Sequence, residues 1–425
     1  MKSQRLIIAV ILILGISLAY GVTTNQSALF ADSFLMRAYG AEAVYWNPSV
    51  LSAEYNDILL PGINQSFYIT NNSLDLDTYN FISGRYLSEN DKVKILGKIH
   101  NRLMVSGESH TTVFGIAFDR LAFASSTHLV SQARISKQYL DLILNGNTQD
   151  DYSFSKAQNQ VNGIAYQDFT VGIGNVNLNE AAASVMDLPP VFDKVPTIMF
   201  GASGSILTGY GVVDTKSYHG SFHTGLDGMS LDQELVLRTA TGGLGAKALM
   251  SLTAKPVENL SVGLSLDNIF GGIHWLGNTE NQTYLVQADS VYASELDDDL
   301  ITQQDSTQDI SSFYTAFPLE LRLGALYTME QVTVSMDWVQ GFRNSQVTSC
   351  IGRLSMGAEY LPIPCLPITM GLALGNEDYP WRMSYGIGYK SKYLQGGIGI
   401  QSIKSVLPGY YSKGISFTSY LTIPY

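Results

Sequence analysis

Gly414-Ile-Ser-Phe-Thr-Ser-Tyr-Leu-Thr-Ile-Pro-Tyr425 closes the chain. Steps of two back from Tyr425 pass through Ile423, Leu421, Ser419, Phe417 and Ile415; the positions between are Pro424, Thr422, Tyr420, Thr418, Ser416 and Gly414. Side chains alternate between faces along a strand, so this stretch is a strand with one mostly apolar face and one mostly small or polar face. Such a strand divides two different solvents, and the rest of the chain is read as what it closes.

The same alternation recurs upstream, where Leu260, Val262, Leu264 and Leu266 oppose Ser261, Gly263, Ser265 and Asp267. Leu319, Leu321, Leu323 and Tyr327 face away from Glu320, Arg322 and Gly324, and Val332, Val334, Met336 and Trp338 oppose Thr333, Ser335 and Asp337. Further strands are expected at Ile351 to Tyr360, Ile368 to Gly375, Trp381 to Lys390 and Tyr393 to Lys404, and earlier at Thr112 to Ala124, Val161 to Gly174 and Thr197 to Val212. Asn177 to Asp187 suits a short helix. Leu231 to Ala254 exceeds one ordinary strand, and Thr241-Gly242-Gly243 marks a bulge or bend within it.

A soluble sandwich alternates too, but the connections favour a barrel. Counting back from Tyr425, they alternate between sides: Ser405 to Tyr411, Asn376 to Pro380, Arg343 to Ser349 and Gly272 to Ser312 on one, and Ser391-Lys392, Leu361 to Leu366, Met329-Glu330 and Lys255 to Glu258 on the other. The first set is longer, which is the asymmetry of outer-membrane barrels. The expectation is an all-β fold, a transmembrane antiparallel up-and-down β-barrel of about 14 strands. The region 58–86 fits this count least well.

Composition agrees. Of 425 residues 15% are charged and 11% aromatic, and a mean hydropathy of +0.07 is far below that of a helical membrane protein. Lys2 and Arg5 precede an apolar run from Leu6 to Ala19 and then Ala19-Tyr20-Gly21, the pattern of a cleaved secretory signal over 1–21. Loss of Lys2 and Arg5 takes the net charge from −12 to −14, so nucleic acid is not an expected partner. Cys350 and Cys365 leave a disulfide open, since spacing alone does not show whether they meet.

From Val22 to about Asn56 no period of two is sustained. This segment, 22–57, is centred on Gly40-Ala-Glu-Ala-Val-Tyr-Trp-Asn-Pro48 with Leu51 after it. The run resembles the signature near the mature N-terminus of FadL-like outer-membrane proteins, with Ser49 where that family usually has Ala. The stretch from Asn259 to Trp275 is similar to one common in uncharacterised outer-membrane branches of that superfamily. The resemblance implies a barrel over 58–425 of 14 strands, with the N-terminal segment folded into its lumen. It also implies a bacterial outer-membrane location, contact with outer-membrane lipid and lipopolysaccharide, and recognition of the strand ending at Tyr425 by the barrel-assembly machinery. A monomer is expected.

Two functions stay open. The first is uptake or binding of a hydrophobic small molecule, with Gly40, Ala41, Trp46, Asn47 and Pro48 as hatch or gate candidates and Gly242 and Gly243 as strand-kink candidates. In the alternative, Trp46 and Asn47-Pro48 only anchor the segment in a non-transporting structural or surface-interaction barrel, or in a partner of a secretion system. The inward positions Ser261, Gly263, Ser265, Glu320 and Arg322 lack a conspicuous apolar lumen face, which favours the alternative. No cofactor or metal is expected. The acidic group Glu295, Asp297, Asp298, Asp299, Asp305 and Asp309 does not match the EF-hand spacing. His219 and His223, four apart around Gly220, read as loop histidines. With no G-x-S-x-G elbow, phosphate loop or Cys and His pairing signature, the chain does not read as an enzyme.

Overall fold

A computed structural model describes residues 24–147, 151–184, 196–225, 228–291, 301–345, 349–375 and 380–425. The expected signal lies outside them, as do Glu295, Asp297, Asp298 and Asp299.

The alternating segments form one antiparallel sheet: β1 (Asp57–Leu59), β2 (Gln65–Asn71), β3 (Arg102–Phe118), β4 (Leu121–Ser136), β5 (Asp151–Ser155), β6 (Gln160–Asn177), β7 (Ile198–Gly225), β8 (Gly228–Val257), β9 (Leu260–Val291), β10 (Ile301–Asp309), β11 (Phe313–Ala316), β12 (Glu320–Thr328), β13 (Val332–Gly341), β14 (Arg353–Ile363), β15 (Leu366–Leu374), β16 (Arg382–Lys390), β17 (Gln395–Ile403) and β18 (Gly414–Pro424). β1 and β2 both lie between β18 and β3, while β10, β11 and β12 lie in turn along β9. β5 adds only to the far end of β7. The sheet therefore has fourteen wall positions and closes on itself through the strand quoted first, paired with β17 on one side and with β1 and β2 on the other. Closure leaves no edge along the wall.

The outward face carries Phe67, Val171, Ile206, Leu323, Met336, Ile398 and Phe417, each more than a third exposed. A continuous apolar band of that kind is unfavourable against water and stable against hydrocarbon. β12 to β18 are 9 to 11 residues long, the length that crosses a bilayer when tilted. No described helix is long and apolar enough to cross a membrane.

The two rims differ. At one, Asp119-Arg120 joins β3 to β4, Pro364-Cys365 joins β14 to β15, and 391–394 joins β16 to β17. The opposite rim holds 72–101, 137–159 and 404–413, with helices Leu76–Ile82, Glu89–Lys98 and Lys137–Asn145. The helices in 72–101 explain why 58–86 resisted a strand count. Helix Leu178–Ala183, expected from sequence, sits at the short-turn rim where the chain leaves β6, the exception to the short turns there. Cys350 and Cys365 lie beside opposite rims and are free thiols.

Three expectations are corrected. The long loop from Gly272 to Ser312 is largely strand, because β9 continues to Val291 and pairs with β10 and β11. Leu231 to Ala254 is unbroken within a strand of 30 residues; the glycine pair stays in register with β7 and β9, the nearest shift against β9 falling between Thr239 and Thr241, and Gly242 has φ 67°. His219 and His223 are on strand β7, not a loop: His223 Nδ1 lies 2.6 Å from Asp151 Oδ1 and His219 Nε2 lies 3.5 Å from Glu234 Oε2. Asp305 and Asp309 lie exposed on β10.

Candidate functional site: the barrel interior

Residues 24–51 are almost wholly buried, and their contacts run around the inner face of the wall. Thr418 Oγ1 on β18 donates to Asn25 O, Gln401 on β17 to Ala28 O at 2.7 Å, and Ser384 on β16 to Leu29 O at 2.8 Å. Asp337 on β13 accepts from the amides of Phe34 and Leu35 at 2.6 Å each. Opposite, Tyr45 Oη donates to Asp168 on β6 at 2.6 Å and Ser203 on β7 to Val44 O at 2.7 Å. A segment built only of 3-10 turns and one four-residue α-helix, Ala43–Trp46, leaves many backbone groups to satisfy, and the polar inner face satisfies them.

Glycines on the inner face give the chain room. A Cβ on Gly174 would stand 1.7 Å from Pro48 O, and one on Gly201 would stand 2.2 Å from Ser49 N. The Asn47-Pro48-Ser49 turn is thus seated in a notch where only glycine fits. Asn47 Nδ2 donates to Thr253 Oγ1 at 3.0 Å and to Leu35 O at 3.3 Å, and Ser49 N donates to Ser251 Oγ at 2.9 Å. Gly40 has φ 56° and the next amide, Ala41 N, donates to Asp57 at 2.8 Å. Trp46 stacks edge-on to Phe34, with ring centroids 5.8 Å apart, and donates from Nε1 to Thr24 Oγ1 at 3.0 Å. The five hatch candidates therefore lie together inside the wall, on one buried segment.

Above this segment, toward the long-loop rim, is a belt of buried charge. Arg322, 2% exposed, donates to Asp267 at 2.7 Å, to Glu320 at 2.8 Å and to Tyr45 O at 2.9 Å. Its guanidinium lies 4.8 Å from the ring centroid of Trp46. Lys247 reaches Asp267 at 3.4 Å, and Arg353 reaches Glu320 at 3.5 Å. Arg382 pairs with Asp32, tying a second point of the segment to the wall. Within the segment, burial pushes the Glu42 carboxyl up to about 8; Oε2 accepts from Thr24 at 3.2 Å while Oε1 has no protein partner.

Beyond the belt the lining changes character. Tyr166, Leu207, Ile273, Trp275 and Phe317 form a buried apolar cluster with Val130, Ile164, Val212 and Ala240. Tyr166 packs against Phe317 at 5.3 Å and is stacked on His128 at 4.6 Å, and Trp275 Nε1 donates to Thr315 at 2.9 Å. Gly243 belongs here: its missing Cβ would fall 2.6 Å from Ile273 Cγ2 and 2.9 Å from Trp275. The expectation of a lumen without an apolar face is thus corrected. It holds for Ser265, Glu320 and Arg322, but higher in the wall the inward positions are aromatic and aliphatic. Register shifts between Ala165 and Tyr166 against β7 and between Thr239 and Thr241 against β9 put Val212 and Ala240 out of step with a strict two-residue count, while Tyr166, Leu207, Ile273 and Trp275 keep the inward parity of their strands. On the other side of the segment, a cavity of about 310 Å³ is lined by Phe34, Arg37, Tyr39, Glu359, Lys390 and Tyr420 at the short-turn rim.

A family model described as a family of unknown function (DUF5723) matches residues 52–252, a little under half of the chain. No curated protein matches in sequence. Among solved structures, a TodX mutant described as a monoaromatic hydrocarbon channel aligns with a TM-score of 0.51 at 11% identity, covering 96% of this chain and 98% of its own. The Ralstonia pickettii toluene transporter TbuX aligns at 12% identity with a TM-score of 0.46, and the Pseudomonas putida toluene transporter TodX at 10% with 0.46, each with the same coverage. The likeness is one of fold: the chain has the barrel architecture of the FadL-like outer-membrane proteins.

Proposed function

We propose that this barrel sits in a bacterial outer membrane, long-loop rim outward, and takes up small hydrophobic molecules. The observation that carries the reading is the apolar cluster around Trp275 and Phe317, inside the wall and toward the outer rim, with the buried segment 24–51 between it and the short-turn side. An apolar solute entering from outside gains by leaving water for the aromatic layer. It then meets the charged belt, where no such gain is on offer, and the segment, which fills the space below. Uptake therefore needs a movement of that segment, and the Asn47-Pro48-Ser49 turn in its glycine notch is the proposed gate. The Gly242-Gly243 pair, with Gly242 at φ 67°, provides a place where the wall itself yields. Toluene is a first probe, since the fold is shared with a monoaromatic hydrocarbon channel.

The test is mass spectrometry of organic extracts from protein purified in mild detergent, beside an unrelated barrel treated identically. A hydrophobic compound enriched only with this protein, and lost in a Trp275→Ala variant, supports the reading. Extracts indistinguishable from the control contradict it.

The hydrogen bonding of the segment favours a second reading, a sealed barrel with a structural or surface role. Its many buried bonds to the wall, including the Arg382 to Asp32 pair, are what a permanent seal requires. Absence of solute flux with the segment in place and also after its deletion would select this reading.

A further inference from the structure

The cavity of about 310 Å³ at the short-turn rim is a joint between two bodies. The buried segment contributes Gln26, Phe30 and Arg37; the wall contributes Leu326 on β12, Thr369 on β15 and Lys390 on β16. Two of these side chains are buried with a polar atom left over. Gln26 is 2% exposed and Thr369 is 6% exposed, and neither Gln26 Nε2 nor Thr369 Oγ1 has a hydrogen-bond partner among the described residues. A buried donor without an acceptor is costly, so two around one cavity mark a place suited to a group that accepts hydrogen bonds.

Arg37 adds a charge that neutral groups hold in place. Its Nε donates to Ser335 Oγ at 2.6 Å, its Nη2 donates to Thr333 O at 2.7 Å and Gly357 O at 3.3 Å, and its guanidinium lies 4.3 Å from the centroid of the Phe30 ring. Burial pulls Arg37 down to about 10, against the opposing influence of Glu359 and Asp337. Asp337 is already engaged by the amides of Phe34 and Leu35. Glu359 is the one carboxylate among the described lining residues, beside the two cations Arg37 and Lys390. Lys390 is exposed and gives an anion a way in from the short-turn side.

We infer that this cavity binds a small organic carboxylate, its oxygens accepting from Gln26 Nε2 and Thr369 Oγ1, its charge answered by Arg37, and its apolar body against Phe30, Phe34 and Leu326. Hydrogen bonds to an ionised acceptor are the strong ones, and the volume falls within the range of small-molecule pockets, about 300–1,000 Å³. Such a ligand touches segment and wall at once. A molecule that binds only the docked arrangement stabilises it, so the site acts as a latch on residues 24–51. The inference rests on the docking of that segment, and not on what passes through the lumen.

The test is isothermal titration calorimetry of the full chain in nonionic detergent, with benzoate, benzyl alcohol and acetate as separate probes. The expected result is one-to-one binding of benzoate, at least about tenfold tighter than benzyl alcohol, which lacks the carboxylate, or acetate, which lacks the apolar body. Gln26→Leu and Thr369→Val should each weaken benzoate by about tenfold. Without ligand, Thr369→Val should keep or raise the unfolding midpoint in urea, because its hydroxyl has no protein bond to lose; a purely structural role would lower it. Saturating benzoate should slow proteolysis of residues 24–51, but not in Thr369→Val. Lys92→Ala, on helix Glu89–Lys98 at the opposite rim, leaves binding unchanged. Folding of each variant is checked by heat-modifiable migration on gels. No saturable benzoate binding, equal binding of benzyl alcohol, or an affinity indifferent to both Gln26→Leu and Thr369→Val would overturn the inference. Trp275→Ala retains benzoate binding if the lumen reading fails and this one holds.

Discussion

At the scale of single residues, Gly174 and Gly201 make the sharpest statement about how the interior is filled. Both would drive a Cβ into the backbone of the Asn47-Pro48-Ser49 turn, at 1.7 and 2.2 Å, and backbone cannot swing aside as a side-chain end can. Gly201→Ala is expected to displace the turn and expose the segment to protease, while the barrel keeps its heat-modifiable migration. Gly204→Ala, with open space around its Cβ, leaves cleavage unchanged. Glu42 supplies a pH dependence. Its carboxyl is raised from 4.5 to about 8 by burial, so the docked segment retains the proton that the released segment loses. The contribution of Glu42 to docking is therefore complete below pH about 4.5, declines as pH rises from there to about 8, and is constant above it. Protease sensitivity of residues 24–51 should increase across that window, and Glu42→Gln should flatten the increase. A steeper dependence in the Gln variant would contradict the assignment.

At the scale of elements, β12 joins wall and interior through Arg322. Replacing it by Met leaves Asp267 and Glu320 buried, with Lys247 and Arg353 as their remaining cationic partners. Breaking a buried pair in this way costs about 3–5 kcal/mol, and the measured result should be a fall in the unfolding midpoint in urea. Removing both halves, as in Arg322→Met with Asp267→Leu, should restore part of it. β12 also shows how far sequence reaches. Leu321 and Leu323 outward, with Glu320 and Arg322 inward, are legible from alternation alone, and so are β13 to β18, whose registers run almost without interruption. The aromatic layer was not legible. Tyr166 and Trp275 keep the inward parity of Asp168 and Ser265, but Trp275 falls in the stretch that reads as a long loop, and Phe317 stands between two strand pieces. The ionic belt was half legible: the inward charges were visible on β12, but their partners on β8, β9 and β14 are supplied by closure of the ring, which no local pattern records. Helices Leu76–Ile82 and Glu89–Lys98 do carry a sequence signal, Asp75 and Ser88 as N-caps.

For the molecule as a whole, the interior is layered along the barrel axis: apolar near the long-loop rim, charged in the middle, and occupied by the N-terminal segment toward the short turns. The layers make a direction. On the proposed function, cargo would partition into the first, be turned back by the second, and pass only if the third moved. In a binding assay with an aromatic hydrocarbon, Trp275→Ala should weaken affinity by about tenfold, roughly 1.4 kcal/mol, because the ring is fully buried in the layer and forms one of its largest surfaces. Arg322→Met should leave that affinity within about a factor of two, since the guanidinium belongs to the layer below.

The central claim, that solute passes by movement of the segment, is tested most directly by a reversible tether. Ser49 N and Ser251 Oγ are 2.9 Å apart, so Ser49→Cys/Ser251→Cys, in a chain with Cys350 and Cys365 replaced by Ser, brings one thiol from the gate turn beside one from the wall. Uptake of radiolabelled toluene into proteoliposomes is then measured before oxidation, after oxidation and after reduction. Movement of the segment predicts uptake that stops on oxidation and returns on reduction. Uptake that continues undiminished through a completed disulfide would contradict it.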